Sequence, residues 1–353
     1  MKRRRQAAVC ALSAIALALP LGFLGTATAQ AATVTVTPLT LVNGWTGAPF
    51  GTAPPAVLIT SGIVHFKGAI ASGTTAVAFT LPAAFRPSRN VFVPVDMCDA
   101  TNGRLDISPN GVVSVDAEGG TFSNAQCFTS LDGAWFAKSA SSFTALSLQN
   151  GWTNAPFGTS TAEVRNIGGI VHFKGAIATG GTNPDAFTLP AAFRPTTAVY
   201  VPVDLCNATN GRLFIQPSGL VTVQAETDFA NAACFTSLDG ASFAKSGQFF
   251  TKLTLLNGWT NAPFSTSKAQ VHGGSGVTHF KGAIATSGTN PVSFRLPKAF
   301  RPHKNVFVKV DLCNATNGRL DITPSGVVTV QAEGGNFSNA QCFTSLDGVT
   351  FVP

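Results

Sequence analysis

The stretch Val64-His65-Phe66-Lys67-Gly68-Ala69-Ile70 alternates apolar and polar side chains. Val64, Phe66 and Ile70 fall on one face of an extended chain, and His65 and Lys67 on the other. That is the period of a β-strand with one buried side and one wet side. The rhythm continues outward from there. Val91, Val93 and Val95 alternate within 90–96, and the outward position Pro94 corresponds to Pro202 and to Lys309 further along. Lysine is rarely tolerated in a core, so this outer face is expected at the surface. Val113, Val115 and Ala117 form another inner face, with Ser114 and Asp116 outward. No stretch shows convincing helical periodicity. Asn102-Gly103, Asn210-Gly211 and Asn317-Gly318 carry the signal of two-residue hairpins. Pro109 to Gly111, with its equivalents at 217–219 and 324–326, marks the next turn, and Asp132-Gly133 another. About eight short strands in about 100 residues predict an all-β sandwich or jelly-roll-like module. With 28 Phe and one Tyr in the chain, its core is expected to be Phe-rich.

This module is written three times. Asn43-Gly44-Trp45-Thr46 returns as Asn150-Gly151-Trp152-Thr153 and as Asn257-Gly258-Trp259-Thr260, a spacing of 107 residues each time. A repeat of that length is a whole domain copied in tandem, not a solenoid unit. Three repeats are expected at 32–138, 139–245 and 246–353, joined by short linkers. Three equal sites in one chain point to multivalent binding more than to catalysis.

Residues 1–31 read as a secretory signal peptide. Lys2, Arg3, Arg4 and Arg5 precede an apolar stretch, and Ala27-Thr28-Ala29 and Ala29-Gln30-Ala31 offer small-x-small cleavage sites. The arginine run makes a poor twin-arginine motif. Removing these four basic residues lowers the formal charge from +7 to +3. No dense basic face remains, which argues against a nucleic-acid partner, and no apolar run of membrane-spanning length follows the signal. Localisation is expected to be extracellular or at the cell surface. Setting Cys10 aside leaves two cysteines per copy: Cys98 and Cys127, Cys206 and Cys234, Cys313 and Cys342. In an exported chain these read as one disulfide per copy, each stabilising its domain by roughly 3–4 kcal/mol on the chain-entropy model. Their spacing lacks the short pairs of a zinc site.

Trp45, Trp152 and Trp259 are the foremost candidate ligand-binding residues, because a tryptophan exposed on a turn is a stacking platform for a sugar ring. The competing and stronger expectation is that each caps its sandwich core. His65, His172 and His279, on the expected solvent face, are the second candidates, as surface or ligand-contact groups. No metal ligands are assigned to them, since lone histidines lack ligand spacing. His272 and His303 have no counterparts in the other copies. Acidic residues recur at Asp96/Asp204/Asp311, Glu118/Glu226/Glu333 and Asp132/Asp239/Asp347. They are the only material for a glycosidase pair, but turn formation by Asp132 and an ion pair between Asp96 and Arg104 explain them better. Asp106 becomes Phe214 in the second copy, so it is not an essential group of the unit. No nucleophile elbow, zinc-protease, phosphate-loop or dinucleotide motif is present, and neither an enzymatic activity nor a cofactor is expected. Asn207-Ala208-Thr209 and Asn314-Ala315-Thr316 match a glycosylation sequon that Asp99 breaks in the first copy.

The order of motifs carries a resemblance. Asn-Gly-Trp, a strand ending in Lys-Gly, then Phe79, Leu81, Pro82, Phe85, Arg86 and Pro87, then Gly103-Arg104-Leu105-Asp106-Ile107, and a close on Ser130, Leu131, Asp132, Gly133 and Phe136 resemble modules of tail-fibre and baseplate receptor-binding proteins of phages of Gram-positive bacteria, and of secreted proteins of such bacteria. The resemblance implies a compact β-sandwich that recognises a cell-surface polymer, usually a glycan, and tends to trimerise. The cysteine pair, the signal segment and the tandem array depart from the fibre pattern and favour a secreted bacterial protein. The expectation is a secreted, non-enzymatic, multivalent glycan-binding protein whose copies pack as an intramolecular pseudo-trimer. A structural or adhesive envelope protein is the alternative, and a glycoside hydrolase ranks last.

Overall fold

A computed structural model of the chain describes residues 35–138, 142–245 and 250–353. The signal segment 1–31 and most of both linkers lie outside the described residues. Each copy is built of short antiparallel strands in three sheets. In the first copy, one four-stranded sheet orders Thr37–Pro38, Ala56–Thr60, Ile63–Lys67 and Trp135–Ala137. The other orders Val77–Thr80, Val112–Ala117, Asn102–Ile107 and Val91–Asp96, and a three-stranded sheet joins Thr129–Ser130, Ala69–Ala71 and Thr46–Gly47. The second and third copies repeat these orders. The fold is all-β and sandwich-like. Val64 and Phe66 from one large sheet pack with Val93, Leu105 and Val115 from the other in one buried cluster. Phe66 meets Phe79 and Phe136 at ring distances of 6.2 and 6.1 Å, so the core is centred on phenylalanine as the composition predicts.

Eleven strands per copy, not about eight, are present among the described residues, because the pattern hides breaks. Gly68 splits Ile63–Lys67 from Ala69–Ala71: it sits at φ +86°, and a Cβ there would lie 2.3 Å from the Ala53 carbonyl oxygen. A short helix, Phe122–Cys127 and its equivalents, also escapes the sequence reading. At six residues it is too short to show a period. The turns at Pro109 to Gly111 and at Asp132-Gly133 form, with Gly111 N–H donating to Ser108 and Ala134 N–H to Leu131. The hairpin expected at Asn102-Gly103 does not form. Those two residues open the strand Asn102–Ile107, and the reversal occurs just before it, at Cys98–Ala100, where Asp99 and Ala100 take left-handed conformations. Asp99, Asn207 and Asn314 all hold φ between 54° and 59°, a region that Asn and Asp tolerate better than most side chains. This backbone demand accounts for the sequon-like residues. Gly103 is glycine because a side chain would collide with Met97, whose Cε would lie 2.0 Å away.

The disulfides form within copies, Cys98–Cys127, Cys206–Cys234 and Cys313–Cys342, with Cα separations of 5.7, 5.8 and 5.7 Å. Each ties the reversal before Asn102, or its equivalent, to the short helix.

The described residues form one compact unit, and polar contacts link the copies in a closed circuit. Asn102 Nδ2 donates to the Ala208 carbonyl, Asn210 to Ala315 and Asn317 to Ala100, each at 2.6 Å. Ser130 Oγ donates to the Phe307 carbonyl, Ser237 to Phe92 and Ser345 to Tyr200, also at 2.6 Å. Arg104 pairs with Asp204 at 3.5 Å, Arg212 with Asp311 at 3.1 Å and Arg319 with Asp96 at 3.4 Å. The strands Val91–Asp96, Val199–Asp204 and Val306–Asp311 touch one another pairwise.

This closure overturns the expectation that the face of Pro94 and Lys309 is exposed. Lys309 is 6% exposed. Its ammonium donates to Oδ1 of Asn102, Asn210 and Asn317, one from each copy. Three N–H donors meet three carboxamide oxygens, which offsets the cost of removing the charge from water. Replacing Lys309 with Met leaves those three oxygens buried without a donor. The expected outcome is a loss of about 3–5 kcal/mol of stability, read as a lower urea midpoint at neutral pH. A change below about 1 kcal/mol would show that the asparagines find other partners.

Candidate functional site

The three tryptophans are buried. Trp45, Trp152 and Trp259 are each 5% exposed, donate Nε1–H to the carbonyls of Thr75, Asn183 and Asn290 at 2.9–3.0 Å, and pack edge-on against Phe122, Phe229 and Phe337. Gly73 lies directly against Trp45. No tryptophan face is open for stacking, so each ring caps its own core. An NH-bearing ring is suited to this place because it fills volume and satisfies a loop carbonyl.

The histidines also depart from expectation. His65 and His172 are each 4% exposed and His279 is half-buried. The face opposite each copy's own core is wet in an isolated sandwich, but here the other copies cover it. Together with His272, the three histidines line one cavity of about 150 Å³ near the turns at Thr60 and Ser61. Burial, with the neighbouring His279 adding to it, lowers the His65 pKa to about 3. Burial and the other histidines hold His172 well below the usual imidazole range. His279 is lowered to about 4, again chiefly by burial.

The acidic residues gather where the copies meet. Burial pushes Asp96 up to about 8 against the opposing Arg319 charge, and Asp311 up to about 7 against Arg212. The ion pair expected between Asp96 and Arg104 is replaced: Asp96 pairs with Arg319 of the third copy, and Arg104 with Asp204 of the second. The carboxylate oxygens of Glu118, Glu226 and Glu333 lie within 4.8 Å of one another. Burial and mutual repulsion raise Glu333 to about 7, and the Lys309 charge opposes that rise. Asp132 accepts from the Gly68 N–H at 3.0 Å, as a turn residue should.

The sequence reading missed the phenylalanines that follow Ala-Pro in each copy. Phe50, Phe157 and Phe264 are 63%, 61% and 59% exposed. Each sits in a left-handed backbone conformation, φ 52–53°, which is strained for an aromatic residue and costs on the order of 1–3 kcal/mol. Neighbouring copies hold two of these turns: Asn90 Nδ2 donates to the Phe157 carbonyl and Asn305 Nδ2 to the Phe50 carbonyl, each at 3.0 Å. Each exposed ring stands edge-on to a buried one, Phe128, Phe235 or Phe343, at 5.6 Å. That second ring meets Phe307, Phe92 or Tyr200 of a neighbouring copy at 5.0–5.1 Å, and an arginine lies over the neighbour's ring: Arg319, Arg104 or Arg212. At two of the junctions this arrangement leaves a groove. The grooves, at Phe50 and Phe264, measure about 170 and 130 Å³. The signal was available as the repeated Ala-Pro-Phe, but nothing in a sequence separates this Phe from the many that build the cores.

Comparison with family models, with curated proteins and with solved structures finds no match to this chain. No helix among the described residues is long and apolar enough to cross a membrane.

The buried histidines set a testable pH dependence. His65 binds its proton in the unfolded chain near pH 6.5 but in the fold only near 3. Its contribution is thus intact above 6.5 and lost as pH falls below it. Relative to the parent, a His65→Gln variant should gain about 1.4 kcal/mol per pH unit of acidification below 6.5. Urea midpoints of both proteins at pH 7, 6 and 5 measure this, and a constant difference across the series would contradict it.

Proposed function

We propose that this chain is a secreted, non-enzymatic, multivalent binding protein for a surface polymer, a glycan above all, acting as a covalent pseudo-trimer. The observation that carries the reading is the Phe50, Phe157 and Phe264 set. Three equivalent aromatic rings are held exposed in strained backbone, and those of Phe50 and Phe264 stand beside arginine-backed grooves built by two copies. Strain that recurs at an exposed site in all three copies points to use at that site. An aromatic face suits the apolar face of a sugar ring, and the arginine and the Asp or Asn of the turn supply polar contacts. Burial of the tryptophans moves the proposed contact from them to these phenylalanines. The circuit of cross-copy bonds supports the pseudo-trimer. Three disulfides favour an oxidising compartment, in keeping with the signal peptide read at 1–31.

A second reading, a structural or adhesive envelope protein without a small ligand, draws on the same tryptophan burial and on the rigidity of the closed circuit.

The test is retention of the mature protein on insoluble polysaccharides and purified cell walls, beside a variant with Phe50, Phe157 and Phe264 all changed to Ala. These side chains are exposed, so the variant should fold with an unchanged melting temperature. Binding through three linked sites predicts loss of retention by about 10²-fold or more in the triple variant and intermediate loss in single variants. Equal retention of parent and variant would remove the grooves from the reading. Retention on no surface would favour the structural one. Small-angle scattering tests the pseudo-trimer separately, since an extended string of three domains would contradict it.

A further inference from the structure

The chain has five histidines, and four of them line a single cavity of about 150 Å³. Three of these, His65, His172 and His279, hold equivalent places in the three copies, and the fourth, His272, faces His279 across the paired strands Gln270–Gly274 and Val277–Lys281. His172 is 4% exposed, and its Nδ1 has no hydrogen-bond partner; Nδ1 of His279 has none either. A buried polar atom without a partner is costly, and two beside one cavity call for an occupant.

The lining narrows what that occupant is. It holds imidazoles and the hydroxyls of residues such as Thr60 and Ser61, with apolar Ile63 and Ile170, and no carboxylate or thiol. Nitrogen-rich sites suit zinc, nickel, copper or cobalt, whereas calcium and magnesium require carboxylate and carbonyl oxygens. Arg165, whose charge acts on His172, lies over the Phe143 ring at 6.0 Å and is not part of the lining.

We propose that this cavity is a binding site for one divalent transition-metal ion, ligated by His65, His172 and His279, one histidine from each copy. The three rings stand wider apart than the 4.8 Å that gathers the three glutamates, so capture turns at least one ring inward. Trp135 packs edge-on against His172 at 4.8 Å and limits that ring. The corresponding residues Ser242 and Thr350 are small, which leaves the other two rings more room. A bound ion would cross-link the three copies on the face that the asparagine and lysine contacts do not reach. This site is independent of the grooves and stands whether or not they bind a glycan.

The experiment uses the tag-free mature chain, stripped with chelator and dialysed against Zn²⁺ or Ni²⁺, with bound metal counted. One ion per chain is expected. His65→Gln and His172→Gln should each weaken binding about tenfold or more, while His303→Gln, at the exposed fifth histidine outside the cavity, should not. Substitution by Co²⁺ should give the visible absorption of nitrogen ligation, and this decides the matter on the parent protein if a variant fails to fold. Absence of that absorption, or metal retention unchanged in folded His172→Gln, would overturn the proposal. So would loss of the ion on Glu333→Gln with no effect of the histidine variants. Binding of sulfate or phosphate in place of the metal would likewise overturn it and make the cavity an anion site.

Discussion

One ammonium group holds together what the sequence repeats. Lys309 Nζ donates to a carboxamide oxygen from each of three domains, and each of those asparagines passes its own N–H to the next copy. A charge buried to this degree is tolerated only when every donor is used. Six asparagine and lysine contacts close that account in one place. The arginine–aspartate pairs and the serine–carbonyl bonds then follow the same order around the three copies, so breaking one junction disturbs the others.

The same closure creates the features of functional interest. A single sandwich would present His65 and Phe307 to water on its outer faces. Apposition of three such faces instead makes a histidine-lined cavity, and grooves where the ring of one copy rests on that of the next. Phe50, Phe157 and Phe264 stay outside this apposition, in a backbone conformation that aromatic residues avoid. Their carbonyls are satisfied by a neighbour's asparagine in two of three cases, so the strain is supported from across the junction. The copies are not identical here: Ala198 replaces that asparagine, while its neighbour Thr197 bonds Ser267, Tyr200 stands where the others have Phe, and Trp135 stands where the others have Ser and Thr. Three junctions of related but unequal character are the consequence.

Much of the fold was legible because strand patterning and turn chemistry are local. The valines of Val91–Asp96 and the inner face of Val112–Ala117 are buried as the alternation requires. The repeat also selected one disulfide pairing among many, and that pairing forms. The errors share a different origin. Asn102 looked like a turn residue because its neighbour is glycine, yet its side chain is spent on the Ala208 carbonyl 106 positions away. Phe50 looked like any core phenylalanine. The tryptophans, read as possible stacking platforms, instead close the cores, as the stronger of the two expectations for them had it.

The sequence by itself determined the all-β class, the three copies, the cysteine partners and the inward faces of the principal strands, since each follows from spacing along the chain. Which polar face meets water was decided only by the tertiary structure. Alternation with period two states that His65, Lys309 and Pro94 lie opposite the core of their own sandwich. Exposure depends on what packs against that opposite face, and there the answer is the other two copies of the same sequence.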